Sequence, residues 1–256
     1  MTLAHDRTGS GEPLLLIHGF SSFRGVWSST VPLLEREREV INIDVPGFGD
    51  SPADVDHPTP ARLAARIAGF LDELGIERAH VAGFSMGGWL TLELNKMGRT
   101  LSACAICPAG FWNRWERVWC KSAFHRTRAL LAPIGDRAAT VLGNPGVRRA
   151  ANLQFMEHAD RLSTDEIDET VRRFLGAPGW NTTLEALHEG HFTGGAAVTA
   201  PATVAWGDKD KLLLPRQAER ARRAIPQARH LWLPGCGHVT PVDDPELTAR
   251  AILTSA

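Results

Sequence analysis

Six short apolar runs alternate along the chain with amphipathic stretches of helical period. They lie at residues 14–18, 40–45, 79–83, 103–107, 203–206 and 229–233. Most lack the polar/apolar alternation of a half-solvated strand. That pattern belongs to strands buried on both faces. Strands alternating with helices predict an α/β fold, a mostly parallel sheet with helices on both faces. Residues 2–7 are expected to add a short antiparallel strand at one edge.

Helix punctuation supports this. Thr59 before Pro60 is an N-cap followed by proline at the first helical position. Leu63, Ile67, Phe70, Leu71 and Leu74 then share one face, and Gly75 ends the helix. Asp244-Pro245-Glu246 starts the last helix in the same way. One stretch breaks the alternation. Residues 111–200 show helical patterns and no convincing strand, with a helix start at Ser163-Thr164-Asp165-Glu166. The expected organisation is a core in two parts, 1–110 and 201–256, with 111–200 as a helical cap over the carboxyl edge of the sheet. That edge is where open α/β sheets bind ligands.

The strongest local signal is Gly83-Phe84-Ser85-Met86-Gly87-Gly88, between a strand pattern and a helix pattern. A serine held between glycines at a strand-to-helix turn is exposed for attack. The following helix aims its positive dipole end where negative charge would develop. A serine hydroxyl needs a base to take its proton. His238, in the loop Gly235-Cys236-Gly237-His238, can serve as that base and then protonate a leaving group. A carboxylate must fix the imidazole tautomer. Two are available in Trp206-Gly207-Asp208-Lys209-Asp210, namely Asp208 and Asp210.

Two further motifs follow strand patterns: His18-Gly19-Phe20 and Asp44-Val45-Pro46-Gly47-Phe48-Gly49-Asp50-Ser51. Taken together and in this order, the five motifs resemble those of the α/β-hydrolases of the capped, single-domain type. The likeness spans essentially the whole chain and weakens in 111–200. It implies a cofactor-independent serine hydrolase with Ser85 as nucleophile, His238 as general base and acid, and Asp210 as the orienting acid. Some members place the acid one strand earlier, but the segment after Cys107 offers no carboxylate. The oxyanion donors implied are the backbone N–H groups of Phe20 and Met86. His18, Asp44 and Ser51 are implied to shape loops.

The expected reaction is cleavage of a carboxylic ester, thioester or lactone through an acyl-enzyme. An aspartate nucleophile would point to dehalogenases or epoxide hydrolases, and the chain has Ser85 and no tyrosine. C–C bond hydrolases usually carry asparagine before the nucleophile and tryptophan after the histidine. Here those positions are Phe84 and Val239. Perhydrolysis by the same site, and a ligand receptor of the same fold, are the other readings; rapid turnover separates enzyme from receptor. Trp112, Trp115 and Trp119, at helical spacing, are expected to join cap packing to a mainly apolar substrate pocket. Such a pocket would favour uncharged short- to medium-chain or aromatic esters.

Other classes find little support. A net charge of −1 gives no basic surface to steer nucleic acid. No apolar run has membrane-spanning length, and the first residues are unlike a signal peptide, so a cytoplasmic protein is expected. Cys104 and Cys107 form a C-x-x-C, but within a strand pattern their side chains face opposite ways. His125, His158, His188 and His191 make no metal-binding motif. There is no phosphate-binding loop and no dinucleotide fingerprint, so no metal and no cofactor are expected. The expected partner is a small-molecule substrate.

Overall fold

The structure, a computed structural model, describes residues 2–255. Seven strands form one sheet: β1 (His5–Gly9), β2 (Pro13–Ile17), β3 (Glu39–Ile43), β4 (Ala79–Phe84), β5 (Thr100–Ile106), β6 (Ala202–Gly207) and β7 (Arg229–Leu233). Their order is β1-β3-β2-β4-β5-β6-β7. Only β1, at the edge, runs antiparallel to its neighbour. It starts at His5, later than residues 2–7 anticipate. Leu3 turns inward and is fully buried, and the Ala4 N–H donates to Ser51 Oγ at 2.9 Å. The Ala4 carbonyl still accepts from the Asp44 N–H at 2.9 Å, next to the last paired residues.

The central strands are buried as the unbroken apolar runs require. Leu14, Leu15, Leu16 and Ile17 of β2 are essentially inaccessible, as is every residue of β4. Each such large side chain contributes about 1.5–3 kcal/mol on leaving water. The helix Pro60–Glu73 begins at Thr59, whose hydroxyl accepts from the Arg62 N–H, and buries Leu63, Ile67, Phe70 and Leu71. Asp244 caps Pro245–Leu253 through the Leu247 N–H, and Ser163 with Glu166 closes a capping box on Thr164–Gly176.

Between β5 and β6 the described residues form helices and loops and no strand. The Trp stripe does not sit on one helix. Asn113 accepts from the Glu116 N–H and makes Arg114 the first helical residue, so Trp112 precedes the helix Arg114–Leu131. No helix is long and apolar enough to cross a membrane, among the described residues.

The sheet places the chemistry at one edge. Ser85 follows β4, Cys107 follows β5, Asp210 follows β6 and His238 follows β7, while the His18-Gly19-Phe20 turn follows β2. Strand β2 leads to β3 on one side and has β4 on the other. This reversal of direction opens a crevice at the carboxyl ends, where ligands settle.

Candidate active site

Ser85 has φ 58° and ψ −120°, a conformation that residues with a side chain adopt at a cost of about 1–3 kcal/mol. Three hydrogen bonds hold it there. Its N–H donates to Ile106 O at 2.9 Å, and its carbonyl accepts from the N–H groups of Trp89 and Ala109 at 3.1 and 3.0 Å. The flanking glycines are a steric necessity. A Cβ on Gly83 would lie 2.4 Å from Gly87 O, and one on Gly87 would lie 2.2 Å from Ile17 O. The sharp turn thrusts the Ser85 side chain out of the sheet edge.

His238 Nδ1 lies 2.7 Å from Asp210 Oδ2, with both residues buried. The other oxygen of Asp210 accepts from the N–H groups of Leu212 and Leu213 at 2.9 and 2.8 Å. An ionised carboxylate only accepts, so Nδ1 carries the imidazole proton and Nε2 is left as a base. Nε2 is buried and makes no hydrogen bond to any described residue. Free enzymes often hold such bases loosely until substrate arrives. Asp208 lies elsewhere, accepting from the Gly235 N–H at 2.7 Å.

Two recesses meet at Ser85. The larger, of about 230 Å³, is lined by Ser85, His238 and mainly apolar side chains, among them Phe20, Phe124, Phe155 and Phe174. The smaller, of about 10 Å³, is lined by Ser85, Met86, Trp112, Leu187 and His188, and shares Phe20 and Phe124 with the larger.

The alpha/beta hydrolase family model matches residues 14–251. The chain belongs to the α/β-hydrolase family. It is 28% identical over 246 residues to the dihydrolipoyllysine-residue acetyltransferase component of the acetoin cleaving system of Pseudomonas putida, covering 95% of this chain but 63% of that protein. The chain thus spans under two thirds of that relative's length. It is 27% identical over 251 residues to a putative carbamate hydrolase of Pseudomonas savastanoi, covering 94% and 92% of the two chains. Among solved structures, a thermophilic esterase from Thermogutta terrifontis superposes with a TM-score of 0.76 at 25% identity, covering 98% of this chain and 92% of the other.

In this α/β-hydrolase, Ser85, Asp210 and His238 converge from three strand ends. The Met86 N–H, first in the helix Met86–Lys96, has no acceptor within that helix. The Phe20 N–H makes no hydrogen bond among the described residues. His18 is occupied by backbone on both sides. Nδ1 contacts Gly19 O at 2.7 Å and Nε2 accepts from the Val45 N–H at 2.9 Å. Burial holds its pKa below the ordinary value, so it stays neutral and props the loop. The Asp44 carboxylate accepts from the N–H groups of Arg24 and Asp50 at 2.7 and 2.9 Å, and Ser51 Oγ donates to Asp44 O at 2.7 Å. Of the tryptophans, Trp112 lines the smaller recess, whereas Trp115 and Trp119 line neither. Trp115 is 57% exposed and stacks on Trp119, whose Nε1 donates to Lys211 O at 3.0 Å. The helix start at Arg114 turns these two away from Trp112.

Three participants are invisible to motif reasoning. Cys107 has a positive φ of 41°, accepts from the Gly207 N–H at 3.3 Å, and brings its sulfur within 4.8 Å of the Asp210 and His238 donor atoms. Such a trio has the composition of a metal site. However, Asp210 already accepts three hydrogen bonds, and burial with the Asp210 charge pushes the Cys107 thiol well up. A thiolate ligand is therefore disfavoured, and the thiol fits better as packing behind the acid. Asp243 is buried and accepts from the N–H groups of Glu157, His158 and Gly237 at 2.8, 2.8 and 2.7 Å. It ties the His238 loop to the helical segment, and burial raises its pKa. Ser21, beside Phe20, has φ 61° and a buried hydroxyl without a partner among the described residues. Its positive φ, in a serine, carried no sequence signal.

Proposed function

We propose that the chain is a serine hydrolase that cleaves an uncharged carboxylic ester, thioester or lactone through an acyl-enzyme. The observation that carries this reading is the strained Ser85, facing a cavity also lined by His238, whose Nδ1 is fixed by Asp210. Ser85 Oγ attacks the carbonyl carbon while His238 Nε2 takes the hydroxyl proton. The oxygen that gains negative charge is met by the N–H groups of Phe20 and Met86, at the positive end of a helix. Collapse breaks the bond to the leaving group, which receives the proton from His238. Water then repeats the sequence on the acyl-enzyme and releases the acid. Asp210 stabilises the imidazolium formed in both halves. The largely apolar cavity excludes water and strengthens these contacts. Under this reading residues 111–200 act as a cap that supplies the far walls of the site.

A fluorophosphonate probe tests the assignment. It should label Ser85 alone, and Ser85→Ala should abolish labelling and ester turnover. Labelling that persists in the variant overturns it.

A further inference from the structure

The two recesses at Ser85 differ in size and in which catalytic group faces them. His238 lines the larger and not the smaller; Met86 lines the smaller and not the larger. Resting on the serine-hydrolase reading, we infer that the larger cavity takes the leaving group and the smaller takes the acyl chain, so that the substrates are acetyl esters of bulky uncharged alcohols.

The argument follows from the tetrahedral carbon. One substituent is Ser85 Oγ. The second is the oxyanion, directed at the Phe20 and Met86 N–H groups. The third, the leaving oxygen, must lie against His238 Nε2 to receive its proton. That requirement sends the alcohol into the cavity that His238 lines. The acyl carbon chain takes the one direction left, past Met86 and into the small recess. A recess of about 10 Å³ holds roughly one water-sized group. A methyl group matches that size, and a propyl chain exceeds it. The larger cavity, of about 230 Å³, admits a medium alkyl chain or a ring system.

The small recess is also stiff. The Trp112 indole is held by its Nε1, which donates to Gly190 O at 3.2 Å. It lies flat against His188, with ring centroids 5.2 Å apart and planes 8° apart. His188 is fixed in turn by a 2.7 Å contact from Nδ1 to Leu184 O. Leu187, on the helix Trp180–Glu189 with His188, is buried and lines the same recess. Widening this wall means moving two bonded rings and a buried leucine, which close packing resists. The larger cavity has Ser21, Asn152 and Thr170 among its polar lining.

Octyl acetate and methyl nonanoate test the assignment, because they are isomers with the same bond to break and opposite placement of the chain. The kcat/KM for octyl acetate should exceed that for methyl nonanoate at least about tenfold, the scale at which a pocket discriminates apolar bulk. With a common 4-nitrophenyl leaving group, acetate should likewise be preferred to butyrate. Leu187→Ala, and independently Trp112→Leu, should raise the butyrate-to-acetate ratio. The comparison of isomers needs no variant and stands if either fails to fold. Equal or reversed preference between the isomers, with Ser85 still labelled by fluorophosphonate, overturns the pocket assignment and leaves the serine hydrolase intact. No turnover of either isomer together with no label on Ser85 overturns the hydrolase reading and this inference with it.

Discussion

Two aspartates, separated in sequence by a single lysine, end up in different chemistry. Asp210 is buried, accepts two backbone N–H groups with one oxygen and meets His238 with the other. Asp208 is exposed and pairs with the solvated Lys209 at 4.0 Å, and its bond from the Gly235 N–H needs only an acceptor oxygen. Asparagine at 208 keeps that oxygen. At 210, asparagine has an amide that favours the wrong imidazole tautomer and removes the charge opposite the imidazolium. Asp210→Asn should therefore lower kcat about 10⁴-fold, while Asp208→Asn should change it little. Steady-state kinetics on one acetyl ester distinguish the two, and the reverse ranking refutes the assignment.

At the scale of elements, the helix Arg114–Leu131 is fastened by its own third residue. Glu116 completes the capping box, accepting through its side chain from the Asn113 N–H at 2.8 Å, yet it is fully buried. Arg216 Nε reaches it at 2.5 Å and Arg220 bonds its other oxygen. One carboxylate thus starts a helix and joins it to the helix Arg216–Ala224, which follows the Asp210 loop. Both arginines keep partial solvent access, so removing Glu116 strands no buried charge. Glu116→Ala should destabilise the protein by about 1–3 kcal/mol, the loss of a cap and of its charge-assisted bonds. Glu116→Gln retains the cap, since glutamine serves at this position, and should cost less. Urea denaturation of the two variants measures the difference.

Over the whole molecule, stability should fall in acid through histidines folded in the neutral form. Burial is the main cause that lowers His188 to about 4, helped by Lys121 and Arg117 and opposed by the Leu184 carbonyl and Glu185. His18 is lowered as well, and protonating it would remove the acceptor for the Val45 N–H. In the unfolded chain both titrate near 6.5. Between there and about pH 4 the unfolded state binds protons that the native state does not bind at His188. Native stability is therefore complete above about pH 6.5 and is lost as pH falls toward 4, by at most about 3 kcal/mol from His188. Asp243, raised by burial, acts in the opposite sense, since its native form takes up a proton first as pH falls. His188→Leu should flatten the dependence between pH 7 and 5 relative to the parent, as measured by urea unfolding at each pH. An unchanged slope would show that His188 is not the neutral buried group described.

Local patterns carried much of this molecule. The caps at Thr59, Ser163 and Asp244 rest on neighbours within a few residues. The apolar strand runs and the glycine-flanked Ser85 are patterns readable along the chain, although Ile106, Ala109 and Ile17 supply the contacts that fix the Ser85 turn. The choice of Asp210 over Asp208 came from likeness to a family; spacing alone left both open. Tertiary structure decided the rest. The edge strand runs over His5–Gly9, with Leu3 buried in the core and the Ala4 N–H bonded to Ser51. The tryptophan stripe divided because Asn113 captured the helix start. Asp243 and Cys107 became part of the site through backbone groups brought in from distant segments. The unequal recesses are walls assembled from loops at both ends of the chain and the helices between. No local period encodes such a volume, because it depends on how far apart already folded elements are held.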